Sequence, residues 1–245
     1  MSSAHSEKQK APIIIQKMSQ LNWYLSHDLL GGPKLLPLYM VINLQKFGTF
    51  FFVAWLMYFY DHYSMAAWVY LGLHGSYGFI WLMKHFAFPD NAWEAKSTFA
   101  GLLVAFLFVL GPYWVAPYLL ISGVLGDAIQ LPSAITLMVA IVVHTLGVGI
   151  MMSADAQKHF TLKLQPGLIT SGMFRYIRHP NYTGEMMIYG SYALLVGHWI
   201  PWAILAWVWL GLFMPNILMK EASMSRHHEW KDYKKRSKLL IPGLF

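Results

Sequence analysis

The stretch MMIYGSYALLVGHWIPWAILAWVWLGLFMPNILM, residues 186–219, decides the fold, because it runs from Met186 to Met219 without one acidic or basic side chain other than His198. A transmembrane helix needs about 20 apolar residues to cross about 30 Å of hydrocarbon. This run is too long for one ordinary span. His198, Trp199 and Pro201 near its middle predict a tight helical hairpin, with a single helix kinked at Pro201 as the alternative.

Working outward, the apolar runs predict spans at about 37–59, 65–83, 98–117, 133–152, 183–199 and 202–219. The fold class is therefore all-α, a polytopic membrane helical bundle of about six transmembrane helices, seven as the upper count. Composition agrees: of 245 residues, 57% are hydrophobic and 12% charged, against about 25% charged in soluble domains. Residues 1–34 carry Lys8, Lys10, Lys17 and Lys34 without an apolar core, which predicts a polar cytosolic N-terminal tail and no cleavable signal peptide. Residues 35–245 then form a single membrane domain, and no repeat or linker marks a second one.

Lys and Arg exceed Asp and Glu by seven. Because the basic residues flank the apolar runs, this surplus is read as topology and not as a nucleic-acid surface. With both termini cytosolic, the segments 1–36, 84–97, 153–182 and 220–245 hold every Lys and Arg except Lys46. The same pattern suits an endoplasmic reticulum membrane in a eukaryote and an inner membrane in a bacterium. The chain has no cysteine, which excludes disulfides, iron–sulfur clusters and Cys-ligated zinc. No His or carboxylate spacing resembles a metal site, and the expected state is a monomer among membrane lipids.

Charged groups inside a span are costly and mark functional candidates. Lys46 lies in the first span beside Asn43 and Gln45. It either lines a polar cavity or extends its stem back to the interface. In the second span His74 and Tyr77 share a helix face at (i, i+3). Such a pair either supplies a proton to a carbonyl oxygen or forms an interhelical hydrogen bond. His144 in the fourth span has no evident partner.

The loop SADAQKHFTLKLQPGLITSGMFRYIRHPNYTGE, residues 153–185, places Asp155, Lys158, Lys163, Arg175, Arg178, His179, Asn181 and Glu185 beside the membrane. Cationic forks with neighbouring polar groups are what a dinucleotide phosphate requires, and anionic lipid headgroups would use the same cations. There is no G-x-G-x-x-G and no P-loop, so a nucleotide would be held by a membrane-specific arrangement. The ending Leu239-Leu240-Ile241-Pro242 predicts that the tail returns to an apolar surface.

The run GLITSGMFRYIRHPNYTGE at 167–185, the hairpin near His198–Pro201 and the ending YKKRSKLLIP together resemble the C-terminal region of the steroid 5-alpha-reductase family and its relatives, over residues 149–245. Sterol double-bond reductases and isoprenylcysteine carboxyl methyltransferases share parts of the motif. The resemblance implies an NADPH-dependent reductase of a conjugated carbon–carbon double bond in a steroid-like or other lipophilic substrate. The alternative is an S-adenosylmethionine-dependent methyltransferase of a lipid or prenylated substrate. Under the first reading, Asp155, Arg178, Asn181, Tyr182 and Glu185 match the cofactor site, Asn181 and Glu185 at its nicotinamide end. Lys163, Arg175 and Arg178 would neutralise phosphates, and the catalytic candidates are Tyr77, Lys46 and His74. Steroid reductases pair an early acidic residue with a His-Tyr dipeptide. Here Asn43, Gln45 and Lys46 occupy the first span and Gly75 follows His74.

Overall fold

A computed structural model describes residues 9–241 and residue 243; Lys8 and Pro242 lie outside the described residues. The six expected apolar segments are all helical. They are α2 (Leu38–Phe59), α3 (Met65–Ala87), α4 (Phe99–Ser122), α5 (Ala134–Leu164), α6 (Pro180–Val196) and α7 (Trp199–Met224), preceded by α1 (Ile13–Trp23) and followed by α8 (Trp230–Arg236). The protein is an all-α membrane bundle. Among the described residues, α2, α4, α5 and α7 are long and apolar enough to cross a membrane. The two remaining helices, α3 and α6, have 23 and 17 residues and bury much of their surface against the others.

Local chemistry explains the boundaries. Ser64, Thr98 and Ser133 accept the Ala67, Gly101 and Thr136 N–H groups and so cap α3, α4 and α5. The hairpin forms as the sequence predicts: α6 ends at Gly197, whose φ of 64° is a left-handed cap, and the His198 ring accepts the Ile200 N–H at the start of α7. The alternative of one helix kinked at Pro201 is thereby set aside.

Two close backbone crossings hold the interior. On α6, a Cβ at Gly184 would lie 2.6 Å from the Gly147 carbonyl oxygen and 2.6 Å from the Met151 nitrogen, so α5 and α6 touch along their backbones. On α3, a Cβ at Gly78 would collide with the Lys46 carbonyl of α2. Both crossings need glycine, and both stand beside residues of the candidate site. The core around them includes Leu56, Tyr70, Tyr77, Met151, Ile188 and Leu195.

Three local features depart from expectation. Residues 153–164, predicted as loop, continue α5, because this stretch is rich in helix formers until Gln165-Pro166-Gly167 stops it. Part of the predicted polar tail is helical: α1 runs along α7, with Asn22 donating to the Gly211 carbonyl at 2.9 Å. Gly211 lies in a π-helical segment, Trp209–Phe213. A short antiparallel pair, β1 (Lys34–Pro37) with β2 (Lys96–Thr98), joins the approaches to α2 and α4.

The C-terminal tail closes over the 165–179 loop. Arg178 N donates to Lys238 O and Lys238 N to Tyr176 O, both at 2.8 Å, in a parallel bridge. The Tyr233 hydroxyl donates to Phe174 O at 2.6 Å, and Thr183 Oγ1 to Leu240 O at 2.6 Å. Leu239 and Leu240 pack against the core, as the apolar ending predicts.

Candidate active site

Lys46 sits on α2 where Gly78 brings α3 close, and only 4% of its surface is exposed. Its ammonium donates to the Tyr77 hydroxyl at 2.9 Å and to the Tyr189 hydroxyl at 2.8 Å, and lies 3.7 Å from the centroid of the Trp81 ring. The interfacial alternative for Lys46 is overturned, because the side chain ends among phenols and not at a surface. Trp81 is fixed by its indole N–H donating to Asn43 Oδ1 at 3.1 Å. Both phenol oxygens accept from lysine, so each keeps its own O–H proton to donate.

His74 stands elsewhere in the same core. Its sequence pairing with Tyr77 is corrected: His74 Nδ1 meets the Tyr70 hydroxyl at 3.1 Å, one turn away on its own helix, and its ring stacks on Tyr192 at 4.1 Å. Tyr77 is drawn instead to Lys46. His144 does have a partner, since its Nε2 lies 3.1 Å from the Tyr192 hydroxyl. An apolar pocket lined by Pro112, Tyr113, Tyr189, Tyr192, Pro201 and Leu205 shares Tyr189 with the Lys46 centre.

Toward the loop, a second charged group gathers. Lys84 Nζ and Asp155 Oδ2 form an ion pair at 3.1 Å, with side chains only 4% and 14% exposed. Lys220 Nζ donates to the Tyr182 hydroxyl at 3.0 Å. Glu185 feels the charges of Lys46, Asp155, Lys84 and Lys220, yet forms no hydrogen bond with the described residues. Its charged neighbours come from both groups. Asp90, at the rim, accepts the Ala92 N–H at 3.0 Å. Burial pushes the Asp90 carboxyl up, but Lys158, that N–H, Lys220 and Lys84 together outweigh it and hold the group below its ordinary value.

Of the predicted cofactor residues, Asp155, Tyr182 and Glu185 fall in one group of mutually interacting charges, and Asn181 lies in the first turn of the helix that carries two of them. Lys163 and Arg175 are exposed on the loop side, the Arg175 guanidinium 5.2 Å from the Tyr176 ring centroid. Arg178 is buried in a structural contact: Nε donates to Glu221 Oε1 at 2.8 Å and Nη1 to Ser237 O at 2.6 Å. Tyr189, Tyr113, Lys84, Lys220 and Asp90 join the candidate site in the structure and were missed by sequence reasoning. Only Tyr189 left a signal, as one member of the series Tyr182, Glu185, Tyr189, Tyr192 along one helical face.

The model of the family described as "Protein of unknown function (DUF1295)" matches residues 84–238. The chain belongs to this DUF1295 family. It is 31% identical over 85 residues, 30% of the chain, to Steroid 5-alpha-reductase DET2 from Solanum lycopersicum. It is also 38% identical over 53 residues, 22% of the chain, to an uncharacterized protein of Schizosaccharomyces pombe. The matches span only 28% and 18% of those two proteins' own lengths. The resemblance to the steroid 5-alpha-reductase family is thus supported. The DUF1295 match includes Lys84, the whole loop, α6, α7 and most of the closing tail, but not Lys46 or Tyr77.

Proposed function

We propose that this DUF1295 member is an NADPH-dependent membrane reductase of a carbon–carbon double bond conjugated to a carbonyl, in a steroid-like or other lipid substrate. The observation that carries the reading is the buried contact of the Lys46 ammonium with the Tyr77 and Tyr189 hydroxyls at 2.9 and 2.8 Å. A carbonyl reduced at its β-carbon develops negative charge on oxygen. Preorganised donors in a water-poor core stabilise that charge strongly. Lys46 polarises the phenols, and Tyr77 donates its O–H to the carbonyl oxygen.

The residues grouped around Glu185 fit a nicotinamide cofactor by their chemistry. Among the described residues neither Glu185 nor Asn181 is held by a side-chain hydrogen bond, which suits a carboxamide, and Lys158 and Lys220 offer cations for phosphate. When bound, NADPH would supply the hydride. Asp155 keeps Lys84 in place, and the tail is bonded over the neighbouring loop.

One observation favours a second reading. Lys46, Lys84, Lys158 and Lys220 are nearly balanced by Asp90, Asp155 and Glu185, which also suits a zwitterionic cofactor such as S-adenosylmethionine. Thermal stabilisation of the purified protein by NADPH, NADH and S-adenosylmethionine separates the two. The reductase reading expects NADPH to raise Tm and to be consumed in the presence of a lipid enone; stabilisation by S-adenosylmethionine alone overturns it.

A further inference from the structure

The apolar pocket beside the Lys46 centre is walled by α4, through Pro112 and Tyr113, and by α7, through Ile204 and Leu205, with Tyr189 of α6 between them. The Tyr189 hydroxyl accepts from Lys46, so the pocket abuts the groups assigned to catalysis. Its free volume is about 10 Å³, room for about one water molecule. No lipid enters unless the walls part.

One polar contact ties the two walls together. The Trp207 indole N–H of α7 donates to the Phe108 carbonyl of α4 at 3.2 Å, and both side chains are exposed on the outside of the bundle. Trp207 follows Ile204 by one turn of α7, and Phe108 precedes Pro112 by one turn of α4, so the contact lies directly beside the pocket lining on each helix. In a regular α-helix the N–H of residue 112 would bond the Phe108 carbonyl, but proline has none. Trp207 supplies from a second helix the donor that α4 lacks. Counted from Trp199 and from Phe99, the contact is about 12–14 Å along each helix at about 1.5 Å per residue, deep in a hydrocarbon core of about 30 Å. No bulk water competes for the carbonyl there.

Both walls are irregular at this level. α4 passes through a π-helical segment, Phe106–Leu110, and a 3₁₀ segment, Gly111–Trp114, before regular helix resumes at Val115. α7 becomes π-helical at Trp209–Phe213, just past the contact. Such segments inside longer helices mark hinges and functional sites. The third wall, α6, is regular from Pro180 to Val196.

We propose that the α4–α7 seam is the lateral entrance by which the lipid substrate passes from the bilayer to the Lys46 centre, with the Trp207–Phe108 hydrogen bond as its latch. The pocket itself argues the occupant: apolar walls suit a lipid body, and the Tyr189 hydroxyl stands where a carbonyl would meet Lys46 and Tyr77. The proposal rests on the reductase reading for the identity of this occupant, but not for the opening of the seam.

The experiment needs neither cofactor nor turnover. The full chain in phosphatidylcholine vesicles is irradiated with a trifluoromethyl-phenyl-diazirine, a small apolar carbene photoprobe that partitions into hydrocarbon, and labelled residues are located by mass spectrometry. Leu205 and Tyr113, both buried in the pocket, are expected to label weakly in wild type and about threefold more in Trp207→Phe, which keeps a ring but loses the N–H. Threefold corresponds to about 0.6 kcal/mol, the average worth of an interhelical hydrogen bond in a membrane. Exposed Leu210 and buried Leu56 of α2 serve as controls for lipid contact and general loosening, and neither should change. Cholestenone, an apolar enone, is expected to suppress the added labelling. Should Trp207→Phe fail to fold, Pro112→Ala, which gives α4 its own donor for Phe108, is expected to raise the same labelling. Unchanged labelling of Leu205 and Tyr113 in the folded variants, or an equal rise at Leu56, overturns the entrance. A rise that cholestenone leaves intact shows that the seam opens and overturns the enone as its occupant.

Discussion

The Arg178 guanidinium and the Glu221 carboxylate meet at 2.8 Å, with side chains 7% and 11% exposed, and His179 Nε2 reaches the same oxygen at 3.0 Å. Arg178 also holds the Ser237 carbonyl. The residue that the motif resemblance assigns to a phosphate is therefore the lock between the loop, α7 and the tail. Its influence on a cofactor is exerted through that lock.

Removing one member of a buried pair leaves the other charge uncompensated, at a cost of about 3–5 kcal/mol. Arg178→Ala is expected to lower stability by an amount of this order and to release the tail. Limited proteolysis reads this directly: cleavage at Arg226–Lys238 should become fast in Arg178→Ala while the core helices stay protected. Unchanged protection would show that the backbone bridge and the Tyr233 and Thr183 hydrogen bonds hold the tail without Arg178. Arg178→Lys should rescue only partly, because lysine lacks the fork that serves Glu221 and Ser237 together.

The same lock gives a pH dependence. Burial lowers the His179 pKa from its ordinary value near 6.5, against the opposing pull of Glu221. A folded-state value below the unfolded one means that the unfolded chain takes up the proton first as pH falls. The contribution to stability is full above about pH 6.5 and declines as pH drops from there toward the folded value. Melting temperatures of wild type should therefore fall between pH 7.5 and 5.5, and His179→Gln should flatten that decline. Asp90 acts in a separate window: with its pKa depressed below 3.8, it loses its contribution only under stronger acid.

The helices were legible because each writes its own signal: an apolar run bounded by Ser64, Thr98 or Ser133, or by the Gly197-His198 turn. The site was legible only in part. Asp155, Tyr182 and Glu185 lie in or beside one recognisable motif. Lys84 and Lys220, by contrast, look like ordinary interfacial lysines until folding turns them inward. Tyr189 is 143 positions from Lys46, and no local periodicity reports such a partner. The His74–Tyr77 pairing failed for a related reason. Sharing a helix face allows contact, but Lys46 from another helix offers Tyr77 a charged donor, and Tyr70 offers His74 a hydroxyl at (i, i−4).

Close helix approach supplies a stability test. Gly184→Ala would set a methyl group 2.6 Å from backbone atoms of α5, which cannot yield as a flexible side chain would. Overpacking of this kind costs about 1–3 kcal/mol, and because Glu185 is the next residue, ligand-induced stabilisation should diminish as well. Gly149→Ala on the same α5 meets nothing within 4 Å and should leave the melting temperature unchanged or slightly raised through helix propensity. Equal behaviour of the two variants in thermal melts would refute the backbone contact.

The two phenols on Lys46 are chemically alike, so which one donates to substrate must come from what else each touches. Tyr189 stacks on Tyr113 at 4.1 Å and borders the apolar pocket, whereas Tyr77 is wholly buried beside Trp81. If Tyr77 is the donor, Tyr77→Phe should lower kcat by about 10²–10⁴, the usual contribution of a general acid, with KM for NADPH little changed. Tyr189→Phe should chiefly raise KM for the lipid, because it alters a wall of the pocket and removes one of two acceptors on Lys46. Steady-state kinetics on a lipid enone distinguishes them, and the reverse pattern would transfer the donor role to Tyr189. Lys46→Met should resemble Tyr77→Phe in kcat, because a phenol without the ammonium is a much weaker stabiliser of developing oxyanion charge. A Lys46→Met enzyme with normal kcat would instead leave the buried lysine as a packing element and remove the observation on which the reductase reading rests.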